Sequence, residues 1–232
     1  MDSGIVIKNN SSVVMINNNY KNLKLMRKLT IADFTGHLEK ITDYNKWPTY
    51  TTPAQSGEML CAFRRTDPDA NDNIYMEPNI DGSFALQVLV GGMESIPDGY
   101  LSDVIFYVFG FTDAMEPDND IGMRVYDDKN NIVFNSNEKY MRIMHYNNQH
   151  EGTYDIPAGK DCAIVTMGKY LYHHQRKNDI NVWYIGFGHI YQNVAASVTY
   201  RLTQNPRPAG GGYNIDFTTD FCKWFVVDVT NY

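Results

Sequence analysis

The stretch DPDANDNIYMEP, residues 67–78, begins as a calcium-binding loop begins. Asp67, Asp69, Asn71 and Asn73 alternate, so oxygen donors recur at the spacing with which a loop wraps a hard cation. The pattern then breaks. Asp72 occupies the sixth position, where the sharp turn wants glycine, and Pro78 the twelfth, with Glu77 one place early. A solvated acidic loop is expected there. The histidines offer no better metal site. His173 and His174 are adjacent, so on a strand they fall on opposite faces. His145 and His150 flank YNNQ in an expected loop with no ligand partner at a zinc spacing, and His189 reads as a strand residue. The expectation is no metal and no cofactor.

Nucleophilic catalysis has no foothold: G-x-S-x-G and H-E-x-x-H are absent, and no cysteine stands beside an activating base. Cys61 and Cys162, each followed by Ala in an apolar run, read as small core residues at related positions. GFG and AGGG lack the Lys-Ser/Thr ending of a phosphate loop. A carboxylate pair for sugar hydrolysis stays open, because two of the 27 acidic residues can meet from anywhere in a fold. The chain is nevertheless expected not to be an enzyme. Tyr170, Tyr172 and Trp183, with Tyr184, Tyr191, Trp47 and Trp224, would suit a sugar-stacking surface carried on loops. The same residues would more readily fill a core or a subunit interface, because strand alternation buries half of them.

Whatever carries these groups is made of strands. The 232 residues are 43% hydrophobic and 13% aromatic, with 17 tyrosines and only 20% charged residues. Tyr, Phe, Val, Ile and Thr suit pleated, half-buried surfaces, and Asn, Asp and Gly suit turns. Period-two and short apolar runs recur at 53–63, 83–90, 103–111, 157–165, 181–190, 196–202 and 222–229. Clusters such as TDPDANDN, EPDND and PRPAGGG separate them, which predicts an all-β, β-sandwich-type fold of short antiparallel strands. LEKITDYNKW, before Pro48, has the length for one helical turn. A net charge of −7 with no basic block argues against nucleic acid as partner. The first residues, MDSGIVIK, lack a signal-peptide pattern, and VIFYVFGF is far too short to span a membrane. Synthesis in a reducing cytoplasm is expected.

Two segments repeat. GIVIKNNSSVVMINNNYKNLKL (4–25) and GMRVYDDKNNIVFNSNEKYMRI (122–143) align without a gap, 118 residues apart, with Gly4, Asn17, Asn19 and Lys21 matched by Gly122, Asn135, Asn137 and Lys139. Each reads as a β-hairpin about a polar turn, the first with Ile5, Ile7, Val14 and Ile16 on one face, the second with Met123, Val125, Ile132 and Phe134. Neither turn holds glycine, so Asn10, Asn130 or Asn131 is expected to take the left-handed conformation. Internal duplication and chance convergence both account for the match; duplication would divide the chain into halves 1–118 and 119–232, packed as one body. The outward face of the first hairpin carries Val6, Val13 and Met15 where the second shows Arg124. Those three are either covered within the fold or are a subunit contact.

Residues 104–143 resemble a pattern in small bacteriophage proteins associated with tails. In these a strand ending V-F is followed by a Gly-led strand G-L-x-V-Y-D, a turn, and a strand ending V-F-D-S; many also begin with a segment like 4–25. The matching residues are Val108, Phe109, Gly122, Val125, Tyr126, Asp127, Val133, Phe134 and Ser136, with Asn for the usual turn glycine and Asn135 for the usual Asp. The resemblance implies a structural component of the virion, in the tail, tail tip or fibre-attachment region. Such a protein would be made in the host bacterium and would act by homo-oligomeric assembly with other virion proteins. The alternative is a module that binds a host-surface glycan through Tyr170, Tyr172 and Trp183.

Overall fold

A computed structural model describes residues 6–8, 14–17, 22–36, 49–66, 73–79, 81–89, 99, 101–111, 122–147, 152–167, 171–174, 181–191, 195–205, 216–219 and 223–232. The first half contributes β1 (Val6–Lys8), β2 (Val14–Asn17), β3 (Lys24–Leu29), β4 (Thr49–Thr51), β5 (Glu58–Arg65), β6 (Asn73–Pro78), β7 (Phe84–Leu89) and β8 (Val104–Gly110). The second contributes β9 (Arg124–Tyr126), β10 (Ile132–Asn135), β11 (Arg142–Asn147), β12 (Gly152–Asp155), β13 (Cys162–Met167), β14 (Leu171–His174), β15 (Asn181–Tyr191), β16 (Ala195–Asn205), β17 (Asp216–Thr219) and β18 (Lys223–Asp228). One 3₁₀ turn, Ile31–Asp33, is the helical element among the described residues; LEKITDYNKW lies outside them. The all-β, antiparallel class expected from composition is what the chain adopts.

Two six-stranded antiparallel sheets form the body. The first runs β11-β18-β13-β5-β8-β3 and the second β12-β16-β15-β6-β7-β4. Each therefore takes three strands from residues before 118 and three from residues after it. Strands β9, β10, β11, β12, β13, β15, β16 and β18 can be taken in chain order as counterparts of β1 to β8. Both sheet orders then read the same from either end, which is a pseudo-two-fold arrangement. Pair β14–β17 belongs to the second half alone.

Apolar runs become strands buried on both faces. In β8, Val104, Phe106 and Val108 join Cys61, Phe63, Ile164, Trp224 and Val226 against Ile74, Met76, Phe84 and Leu86 of the second sheet. The alternate residues Tyr107 and Phe109 join Ala62, Val165, Phe225 and Val227 in a second core on the other side. A run such as VIFYVF is what a strand between two apolar layers requires. The edges of the first sheet also meet. Leu25 N donates to Lys139 O at 2.7 Å, Met141 N donates to Leu23 O at 2.8 Å, and Lys24 forms an antiparallel bridge with Tyr140. The sheet thus closes on itself at this seam, where an open sheet would leave edge groups for foreign strands.

Cys61 and Cys162 are both buried, as expected of core residues. Their positions are not equivalent, however. Cys61 pairs with Val108, while Ile164 pairs with Val226, the residue 118 positions on from Val108. Ile164, not Cys162, stands in the place of Cys61. The apolar pattern repeats every two residues, so an alignment slipped by two looks equally good in the sequence.

Candidate functional site

The repeated hairpins are real and share one register. In the first, Val6 pairs with Asn17, Ile7 with Ile16 and Lys8 with Val14. In the second, Arg124 pairs with Asn135, Val125 with Phe134 and Tyr126 with Ile132. Both skip one residue, Met15 in β2 and Val133 in β10, as a β-bulge. Each hairpin is a two-stranded sheet hydrogen-bonded to neither large sheet. Of the expected contact residues, Val6 lies in β1 and Met15 in β2, while Val13 lies outside the described residues.

The bulge overturns one expectation. Val133, expected between two core-facing neighbours, is itself buried and packs with Val125 and half-buried Phe134, whereas Met123, expected inside, is 40% exposed. The extra residue in β10 turns Val133 inward, while Met123 stands before β9, outside the bulged strand.

Val108 and Phe109 of the phage pattern lie in β8, and all but one of the others hold this hairpin. Asp127 closes the turn: its Oδ1 accepts from the backbone of Lys129 and Asn131, its Oδ2 from the Asn131 amide, and these bonds hold its carboxyl below the usual range. Asn130 supplies the left-handed residue at φ 65°, as the sequence suggested. Ser136 Oγ accepts from Met123 N at 2.8 Å, and a Cβ on Gly122 would press on that oxygen. Asn135 N donates to the Tyr140 hydroxyl at 2.6 Å, and Tyr140 stacks on Phe134. Tyr126 is the exception, 42% exposed.

Large exposed apolar residues concentrate nearby. Among the described residues they are Met59, Met123, Tyr126, Ile143 and Tyr146, and all but Met59 lie on this hairpin or on β11, the strand after it. Sequence reading missed Ile143 and Tyr146. Their signal was the counterpart positions: Leu25 packs partly into the second core, and Lys28 lies over the Tyr107 ring at 5.3 Å.

His145 is in β11 rather than in a loop, its ring stacked on Tyr154 and tilted against buried Trp224. Tyr172 lies on β14 and Trp183 on β15, so both proposed sugar-stacking residues sit on strands rather than loops; Tyr170 lies outside the described residues. Burial raises the Cys61 thiol strongly and pushes Cys162 up to about 11, which makes them poor nucleophiles. Among the described residues no group of three or more His, Cys, Asp or Glu could hold a metal ion, and no helix is long and apolar enough to cross a membrane. Residues 67–72 of the acidic loop lie outside the described residues, and Asn73–Pro78 is β6.

The charged groups that are brought together are structural ties. Arg27 grips Glu58 with two bonds of 2.6 and 2.8 Å, and Arg65 grips Asp103 with bonds of 2.9 and 2.5 Å. Lys24 meets Glu138 at 2.7 Å across the closing seam. No protein-family model matches the chain, and no curated protein or solved structure matches it.

Proposed function

We propose that the chain is a structural component of a bacteriophage virion, in the tail, tail tip or fibre-attachment region, working through protein–protein assembly. The observation that carries this reading is the hairpin that bears the phage-like pattern. Most of its matched residues hold the hairpin together, and Tyr126 is left exposed with Met123, Ile143 and Tyr146. A two-stranded hairpin is marginal on its own, and apolar groups clustered on a protein surface mark contact sites. The first hairpin repeats the register and carries Val6 in place of Arg124, while Met15 holds the place of buried Val133, so Val6 is its candidate contact residue.

The test is incorporation. Phage made with Tyr126→Asp or with Val6→Asp in place of the native chain is purified and assayed for the protein in particles. The reading expects loss from particles while the isolated variants keep the native melting temperature. Normal incorporation of both variants would contradict it.

A further inference from the structure

We infer that the seam of the first sheet is an exchange interface for a second copy of the chain, held shut within one copy by Tyr232. This rests on the assembly reading and names a second copy as its first partner. The seam joins two short edges, residues 23–25 and 139–141, through the bonds Leu25 N to Lys139 O and Met141 N to Leu23 O. The six strands β11-β18-β13-β5-β8-β3 form an unbroken ladder without it. Opening the seam therefore breaks no other strand pairing and leaves two free edges. Leu23, Leu25 and Met141, which pack partly into the second core, stand on those edges. Unpaired edges of this kind recruit another strand.

Tyr232 is placed to guard the seam. Bonded residues alternate along an antiparallel pair, so the bonds of Leu25 and Met141 leave the backbones of Lys24 and Tyr140 pointing away from each other. On the far side of Tyr140, β18 has already ended at Asp228, opposite Arg142. The Tyr232 hydroxyl fills that place by donating to Tyr140 O. Its ring lies 6.2 Å from that of Phe109 in β8, with the Arg142 guanidinium at 4.6 Å and Lys139 Nζ at 5.9 Å over it. Lys28 Nζ of β3 donates to the Tyr232 carbonyl at 3.3 Å. One residue thus ties β3 and β8 to the segment that leads into β11, across the line where the sheet would part.

The two edges select their partner. They belong to different halves, so in a pair of copies each edge finds its complement on the other. Two identical seams then form about one two-fold axis. Charge fixes the choice. Lys24 meets Glu138 at 2.7 Å across the seam, and that pair forms again between copies. Two 23–25 edges set against each other about Lys24 would place one lysine opposite another, which is unfavourable. No foreign strand is needed to satisfy either edge.

The experiment mixes isotopically light and heavy copies of the wild type, and likewise of Tyr232→Phe, which keeps the ring and loses the hydroxyl. A carbodiimide then joins Lys24 to Glu138 as an amide, and mass spectrometry sorts links within one copy from links between copies. Tyr232→Phe is expected to form dimers in which these links join light chains to heavy ones. The wild type is expected to give links within one copy, and mixed links once dilute urea opens the seam. Hydrogen exchange at Leu25 and Met141 should be about tenfold faster in Tyr232→Phe, the effect of losing one hydrogen bond, with the β13–β18 ladder unchanged. A folded Tyr232→Phe that stays monomeric would overturn the proposal, as would dimers without mixed links. If that variant does not fold, the wild type in dilute urea decides, and links confined to single copies overturn the proposal. The two readings fail separately. A monomeric variant of a chain that is present in particles removes the exchange interface alone, whereas mixed links in a chain absent from particles remove the assembly reading alone.

Discussion

Met141 donates its backbone N–H to the carbonyl of Leu23 at 2.8 Å, and the two residues are 118 positions apart, the interval that separates Gly122 from Gly4. A residue bonded to its own counterpart lies on a two-fold axis. The same interval carries β1, β2 and β3 onto β9, β10 and β11 with identical bounds. It also carries the irregularity of β3, where Met26 is skipped between Leu25 and Arg27, onto β11, where Met144 is skipped between Ile143 and His145. Shared bulges are a stricter signature of common origin than shared apolar patterns, because they serve no general requirement of a strand.

The seam should respond to charge reversal. Lys24 and Glu138 are only slightly exposed and 2.7 Å apart. Lys24→Glu should lower stability by about 2 kcal/mol, and Lys24→Glu/Glu138→Lys should recover most of it. Urea denaturation of the wild type, both single variants and the double variant measures this; no recovery in the double variant would mean the seam pair is absent in solution.

Glu58 has a fully buried side chain gripped by Arg27. Glu58→Ala leaves the guanidinium without its partner and should cost roughly 3–5 kcal/mol, whereas Arg27→Met/Glu58→Leu should cost less than the single change. Thermal melts of the two variants order them.

Gly110 ends β8 against the backbone of Gly57, where a Cβ would overlap Gly57 O. Gly57 itself has φ 86° and stands against Phe111 O. Gly110→Ala should therefore cost about 3 kcal/mol or more. The counterpart of Gly110 is Asp228, so the same site in the other half accepts a side chain and uses it. Equal tolerance of alanine at 110 and 228 would contradict this asymmetry.

Asp228 ties the end of β18 to Thr230 and Lys160. Burial pushes its carboxyl up, but the bonds to those two residues, with Arg142 nearby, outweigh that and leave it below the usual range. A depressed carboxylate adds stability above its unfolded pKa of about 3.9, and that stability is lost as pH falls through the folded value. Asp228→Asn should thus be less stable than wild type by about 1 kcal/mol near pH 6, with the gap closing below about pH 4. Melting temperatures from pH 3 to 6 test it; a gap that widens toward acid would reverse the sign.

The strands were legible because period two and apolar runs are local properties: VIFYVFG, EMLCAF and KWFVVD all became strands. Asp127 and Asn130 announced their turn for the same reason. Faces were less legible. One bulge turned Val133 inward, and a two-residue slip aligned Cys61 with Cys162, because apolar alternation cannot count extra residues. The edge-to-edge joining of the two halves within both sheets was invisible, since it is fixed by pairings such as Phe63 with Ile164, which have no local signal. Trp183 was picked out for its ring alone; its backbone pairing with Thr203 came only with the fold.

If the assembly reading is right, the chain is encoded by a phage, and quantitative mass spectrometry of that phage's purified particles, counting the chain against the major capsid protein, tests the reading most directly. A fixed, small number of copies, a multiple of three or six as a closed symmetric tail structure requires, is the predicted result. Particles that lack the chain would contradict it.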